Sequence, residues 1–264
     1  MKHKVSVIIP LYNQGQYIDE TLNSALSQSY ANIEVIVVND GSTDKYTINK
    51  IKELELAGIN ILHKSNGGLA SARNAGIEKA TGKYIVALDS DDVIDKDYIG
   101  KLVKVLDQSD AKIAYSRALL FGARSGLWML PNYSIKRMLH GNIIYCSAMY
   151  HRSDWVLNHG YDEKIKDGLE DWEFWLSIIE RGGSVVRVKE ALFYYRIRKN
   201  SMLRSLDFSK KKAVVEYIFK KHQSFFKENN IKQDSIYIQE ESSIIYRIIN
   251  KIVSVFLGYV YAKY

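Results

Sequence analysis

The sequence holds a single cysteine, Cys146, among its 264 residues. An internal disulfide is therefore excluded, and the chain suits a reducing compartment. No stretch approaches the roughly 18 consecutive apolar residues that a membrane-spanning helix needs. The opening "MKHKVSVIIPLYN" sets basic residues before an apolar run. That run is too short for a secretory signal and ends in no small-residue cleavage site. Repeats and low-complexity tracts are absent too. These absences predict a cytoplasmic globular protein.

What is present is ordinary in bulk. Hydrophobic residues make up 47% and charged residues 25%, a globular composition. The length suits one large α/β domain with an appendage, or two modest domains. The net charge of +7 is compatible with nucleic acid, anionic lipid or a phosphorylated ligand, and equally with a basic protein that binds none of them.

The first half alternates between two periodicities. "VSVII" (5–9), "IEVIVV" (33–38), "INILHK" (59–64) and "YIVALD" (84–89) are strand-like runs. Between them, 17–30, 68–82 and 97–108 carry apolar residues at helical spacing. This alternation predicts a mostly parallel sheet with helices on both faces. Such sheets bind ligands beyond the carboxyl ends of their strands. Polar motifs stand there: "PLYN" (10–13), "NDGSTD" (39–44) and "DSDD" (89–92). Later, 112–122, 143–151 and 184–198 read as strands and 169–183 as a helix. From about residue 205 the chain turns rich in Lys, Tyr and Ile and reads as two or three helices.

Each motif has a chemical reading and a plainer one. Asp89 and Asp91, two apart at a strand end, project to one side; they suit either a capped turn or a hard cation such as Mg²⁺ or Mn²⁺ shared with phosphate oxygens. Asp40, before the flexible Gly41, either shapes a turn or accepts a hydrogen bond from a base or sugar. Tyr12 either stacks on a base or marks a strand exit. Arg73, early in a helix after a glycine pair, works against the helix dipole unless an anion lies between. A surface salt bridge is the simpler role. Glu170 and Asp171 open a helix, where acids are favoured anyway; alternatively one is a general base.

In this order the motifs resemble those of the inverting family-2 glycosyltransferases of the GT-A fold. The match runs from about Val5 to Ser201 through "VSVIIPLYN", "IEVIVVNDGSTD", "NGGLASARNAGIEKATGKYIVALDSDD", "SAMYHRSDWVLNHGYDE" and "LEDWEFWLSII". The resemblance implies a GT-A catalytic domain over 1–204, with a donor part of about 1–110 and an acceptor part of about 111–204. A helical C-terminal extension follows over 205–264. It implies a nucleotide-sugar donor, in expectation a UDP-sugar, held by Pro10, Tyr12, Asp40, Arg73, Asp89, Ser90 and Asp92. It implies a divalent metal, Mn²⁺ or Mg²⁺, on Asp91, and Asp171 as the base that deprotonates an acceptor hydroxyl. The acceptor is expected to be a saccharide or lipid-linked saccharide, in surface polysaccharide synthesis.

One departure stands out. Many members carry a Tyr-Arg-x-His segment whose His approaches metal and diphosphate. Here the stretch is "YYRIRKNS" (194–201), with Arg198 in that place. A guanidinium cannot ligate a metal, but its planar fork suits phosphate, so Arg198 joins the expected donor residues. Competing readings are a nucleotidyltransferase, an inactive relative that only binds a nucleotide sugar, and a nucleic-acid module suggested by net charge alone. The segment "IIYRIINKIVSVFLGYVYAKY" (244–264) suits either a peripheral contact with the inner face of a membrane or packing on the catalytic domain or a second subunit.

Overall fold

The structure, a computed structural model, describes residues 3–198 and 208–236. The first 110 residues form β1 (Val5–Leu11), α1 (Ile18–Leu26), β2 (Ile33–Asp40), α2 (Lys45–Leu56), β3 (Ile61–Lys64), α3 (Leu69–Lys79), β4 (Tyr84–Ala87), β5 (Val93–Ile94) and α4 (Tyr98–Gln108). Next come β6 (Ala111–Gly122), β7 (Gly126–Trp128), α5 (Ile135–His140), β8 (Met149–His151), α6 (Arg152–Leu157), α7 (Glu170–Ile179) and β9 (Ser184–Ile197). Two helices follow, α8 (Phe208–Lys221) and α9 (Gln223–Glu228).

Among the described residues one nine-stranded sheet runs β3-β2-β1-β4-β8-β6-β9-β5, with β7 on β6. The expected parallel core is its first four strands: β1 pairs parallel with β2 and β4, and β2 with β3. Every residue of β1 is buried, as a strand covered on both faces requires. The second half joins through β8, antiparallel to both β4 and β6. The sheet is thus more mixed than the alternation predicts, because short β8 and β5 reverse direction at their junctions.

Two local expectations change. Residues 45–56, unassigned from sequence, form α2, which buries Thr47, Ile51 and Leu54. Asp44 caps it, its carboxylate accepting the Thr47 N–H at 2.8 Å. The strand expected over 143–151 shrinks to β8. Its first part is held off the ladder by side-chain bonds: Tyr145 Oη accepts the Ser116 N–H at 2.9 Å, and the Cys146 thiol donates to Asp89.

Helices α8 and α9 pack on α7. Val215, Ile218 and Phe226 are buried in the same apolar cluster as Phe174 and Trp175. His222, at the α8–α9 junction, is 2% exposed and lies between Glu173 and Glu180 of the α7 region. No helix among the described residues is long and apolar enough to cross a membrane. The segment 244–264 lies outside the described residues.

Candidate active site

Three loops leave the carboxyl ends of β1, β2 and β4 side by side, because those strands are parallel neighbours. Asn13 ties the first two loops together. Its side-chain oxygen accepts the N–H groups of Thr43 (2.7 Å) and Asp44 (3.0 Å). Tyr12 beside it is 45% exposed, so its ring is open to a stacking partner. Pro10 is buried within β1 and shapes the exit without facing solvent.

Asp40 ends β2 and is buried. It accepts hydrogen bonds from Lys64 Nζ (2.7 Å), Gly67 N (3.0 Å) and Gly68 N (2.9 Å). The carboxylate therefore fixes the turn that starts α3. Gly41 follows it at φ +70, and a Cβ there would meet Asn66 N at 2.7 Å. Only glycine fits that combination without strain.

Arg73 is 1% exposed, so its salt bridges are buried and not on the surface. Its guanidinium donates to Asp89 Oδ1 at 2.8 Å and to Glu170 Oε1 at 2.5 Å. Asp89 comes from the β4 loop and Glu170 from the start of α7. One buried cation thus joins the β4-loop acid to the Glu-Asp pair, although Arg73 and Glu170 lie 97 residues apart in sequence. Breaking such a buried pair is costly, about 3–5 kcal/mol, because a charge is stranded.

The acid run divides into different jobs. Asp89 also accepts from the Cys146 thiol at 3.2 Å. Burial pushes the Cys146 thiol well above the ordinary range, so it stays protonated as a donor. Ser90 is buried, 3.0 Å from the Gln14 amide. Turned to satisfy both ends, that amide donates to Ser90 and accepts from Arg198 at 3.0 Å. Asp91 forms an ion pair with Arg198, Nε to Oδ2 at 2.7 Å. Burial, opposed by Arg198 and aided by Asp89, pushes Asp91 up to about 6. Asp92 is 1% exposed and holds the turn to β9: its Oδ1 accepts the Arg196 N–H at 2.8 Å. Burial, then Asp91 and Asp89, push its carboxyl well up, which favours the neutral acid.

Asp171 sits in the first turn of α7. Leu169, just before the helix, is left-handed at φ 69. A leucine there stores strain of about 1–3 kcal/mol, which turns Glu170 in toward Arg73. Asp171 is half-buried. Its Oδ2 accepts from Asn142 Nδ2 at 2.9 Å and its Oδ1 from Trp172 N at 2.8 Å. Burial and neighbouring Glu170 push its carboxyl up to about 7, against the pull of Arg73. A carboxyl poised near neutrality and oriented by a donor has the properties of a general base.

The sequence reading missed Asn142, Cys146, Gln14 and Arg196. Nothing in their local spacing distinguishes them; each acts through a distant partner. Arg196 had one available signal, its place two residues before Arg198 on a strand, hence on the same side. It donates through Nε to Asp91 O at 2.6 Å and pairs with Glu20 at 2.7 Å.

Among the described residues no three His, Cys, Asp or Glu side chains converge as a cation cage. The fit to a divalent metal is of another kind. Asp89 and Asp91 are acids of one loop, and Asp91 is raised first by its burial and then by Asp89, against the pull of Arg198. Magnesium-like ions bind to one or two carboxylates and take the rest from substrate phosphates. The residues present suit that arrangement.

Comparison with known proteins agrees with this geometry. The sequence model of the family described as "Glycosyl transferase family 2" matches residues 6–162. Glycosyltransferase GlyA of Streptococcus pneumoniae serotype 4 is 30% identical over 220 residues, covering 76% of this chain and 32% of the relative. Minor teichoic acid biosynthesis protein GgaB of Bacillus subtilis is 33% identical over 208 residues, covering 74% of this chain and 23% of the relative. The chain thus spans a third or less of those two relatives. Among solved structures, S. aureus TarS 1–349 in complex with UDP-GlcNAc has a TM-score of 0.67 at 22% identity, covering 82% of this chain and 66% of that one. The mannosyltransferase PcManGT from Pyrobaculum calidifontis, in complex with GDP-Man and Mn²⁺, has a TM-score of 0.65 at 19% identity, with 85% and 65% covered. At these identities the structural likeness speaks to fold.

Proposed function

This chain belongs to glycosyl transferase family 2 and has the GT-A fold, and from that premise we propose that it transfers a sugar from a UDP-sugar to a saccharide hydroxyl with inversion. The observation that carries the reading is the buried Arg73, which holds Asp89 and Glu170 together. That bridge sets Asp171 beside the loops that would hold a donor.

The chain's own residues supply the following steps. Tyr12 offers a ring face to the base, and the turn fixed by Asp40 forms the wall beside it. Asp89, held by Arg73 and Cys146, faces the donor ribose. Asp171 Oδ accepts the proton of the acceptor hydroxyl. The acceptor oxygen, thus deprotonated, bonds to the anomeric carbon from the face opposite the diphosphate. The bond from that carbon to the diphosphate oxygen breaks, and the diphosphate leaves with the electron pair. Arg198 takes phosphate oxygens as they gain charge. A divalent cation held by Asp91, with Asp89 beside it, would supply further neutralisation of the leaving group. In this reading residues of about 1–110 form the donor part and about 111–204 the acceptor part, with an extension from 205 whose described residues, 208–236, carry α8 and α9. A role in surface polysaccharide synthesis is supported by a minor teichoic acid biosynthesis protein and a chondroitin synthase among the relatives.

The test is a screen of nucleotide sugars with Mn²⁺, scored for release of the nucleoside diphosphate. Asp171→Asn keeps size and removes the base. Transfer is expected to fall by about 10²–10⁴-fold while donor binding persists. Near-normal transfer by Asp171→Asn would move the base elsewhere. Release of pyrophosphate would point to nucleotidyl transfer.

A further inference from the structure

Arg196 near the end of β9 and Arg198 just beyond it both lie against the acid run. Their surroundings differ in a way that separates their roles. Arg196 is tied by its backbone to Asp92, by its side chain to the Asp91 carbonyl and Glu20, and its guanidinium stacks 4.2 Å from the Phe121 ring centre. It is part of the scaffold. Arg198 reaches the Asp91 carboxylate itself, at 2.7 Å, with its outer nitrogens directed at the Gln14 amide and its guanidinium 5.8 Å from the Tyr17 ring centre.

We propose that Arg198 is a resident counter-ion that guards Asp91 and changes partner when donor arrives, so that the site takes its divalent cation together with the diphosphate and not before it. This rests on the nucleotide-sugar reading above. The physical reason is charge. Asp91 is largely buried, and one guanidinium already compensates it. A dication drawn to the same carboxylate would stand beside that guanidinium, and two cations a few ångströms apart repel strongly in a partly desolvated site. Either the cation stays away or Arg198 leaves. A diphosphate changes the balance, because it offers Arg198 a bidentate anion and offers the cation its remaining ligands. With the anion between them both positive groups become favourable. Binding of nucleotide and cation is then coupled through a partner exchange at one side chain, and the coupling is reciprocal. The design also explains how a site with so few protein ligands avoids a stranded carboxylate when empty of donor.

The test is calorimetry at pH 8. Mn²⁺ is titrated alone, then UDP with Mn²⁺ and UDP with EDTA. The proteins are wild type, Arg198→Gln, Arg198→Lys and Asp91→Asn. Arg198→Gln is expected to bind Mn²⁺ alone more tightly than wild type, by up to about fivefold, the scale of one partly exposed ion pair removed. It should also lose UDP affinity. Its ratio of UDP affinities with and without Mn²⁺ should therefore shrink. Arg198→Lys keeps the cation and should hold Mn²⁺ binding near the wild-type level; a merely structural role for the guanidinium would not be rescued so. Asp91→Asn should abolish the Mn²⁺ response. An Arg198→Gln protein that melts normally and binds Mn²⁺ no better than wild type overturns the proposal. Wild type that ignores UDP in both metal states would defeat the nucleotide-sugar reading instead, and the arm with Mn²⁺ alone would still decide Arg198.

Discussion

Asp171 concentrates the residue-scale chemistry. An ordinary aspartate ionises near 3.8; here burial and Glu170 hold the proton until about 7. A general base works only when deprotonated, so kcat/KM is expected to rise with pH through about 7 and then level off. A pH–rate profile from 5.5 to 8.5 checks this, and a flat one would remove Asp171 from the role. The sign for stability runs the other way. Because the folded pKa is raised, the native state holds the proton more tightly, and the folded protein loses that advantage as pH rises through about 7. The melting temperature of Asp171→Asn relative to wild type should therefore climb between pH 5 and 8. Asp171 was legible in "GLEDW". Its orienting partner, Asn142, was not, because 29 residues separate them and asparagine has many uses.

Elements position these residues through close packing and buried charge. Helix α3 carries Arg73 and approaches β1 and β2 at Gly76, where a Cβ would meet Ile8 Cγ2 at 2.4 Å and Val38 Cγ2 at 2.8 Å. Gly76→Ala is expected to push α3 off the sheet and cost about 1–3 kcal/mol, measured by urea denaturation; an unchanged midpoint would mean the sheet yields freely. Helix α8 is tied to α7 by His222, whose ring nitrogens lie 2.7 Å from Glu180 and 3.2 Å from Glu173. Lys221 also meets Glu173, at 2.8 Å. Burial alone would depress His222, but the two carboxylates outweigh it and its pKa is raised. Its contribution is then complete below the ordinary histidine pKa of about 6.5 and fades as pH rises through the raised value. His222→Gln should lower the melting temperature more at pH 6 than at pH 9. An equal penalty at both would leave packing as the sole cause. The helical character of α8 was legible; its charged seat on α7 was not, since His222 and Glu173 lie 49 residues apart.

For the whole molecule, one apolar cluster spans the sheet, α7 and the packed helices α8 and α9, and Arg73 links the β4 loop to α7 by charge. A ligand held by the loops of β1, β2 and β4 should therefore stabilise the chain as one unit. UDP with Mn²⁺ at 100 times Kd would add about 2.7 kcal/mol, seen as one melting transition moving upward. UDP with EDTA should give little shift. Equal shifts with and without the metal would argue that phosphate binding needs no cation here.

The sequence by itself determined the strand–helix alternation, the acids at the end of β4 and the Glu-Asp pair that opens α7. Those are local patterns: a period of two or 3.6 residues, or a motif within one loop, is written in neighbouring positions. Tertiary structure alone decided which acid does what. Asp89, Asp91 and Asp92 look alike in "DSDD", yet one is held by Arg73 and Cys146, one by Arg198 and one by the backbone of β9. A carboxyl's protonation and reach depend on burial and on the charges around it. Those charges come from residues up to about a hundred positions away, brought close only when the sheet is assembled.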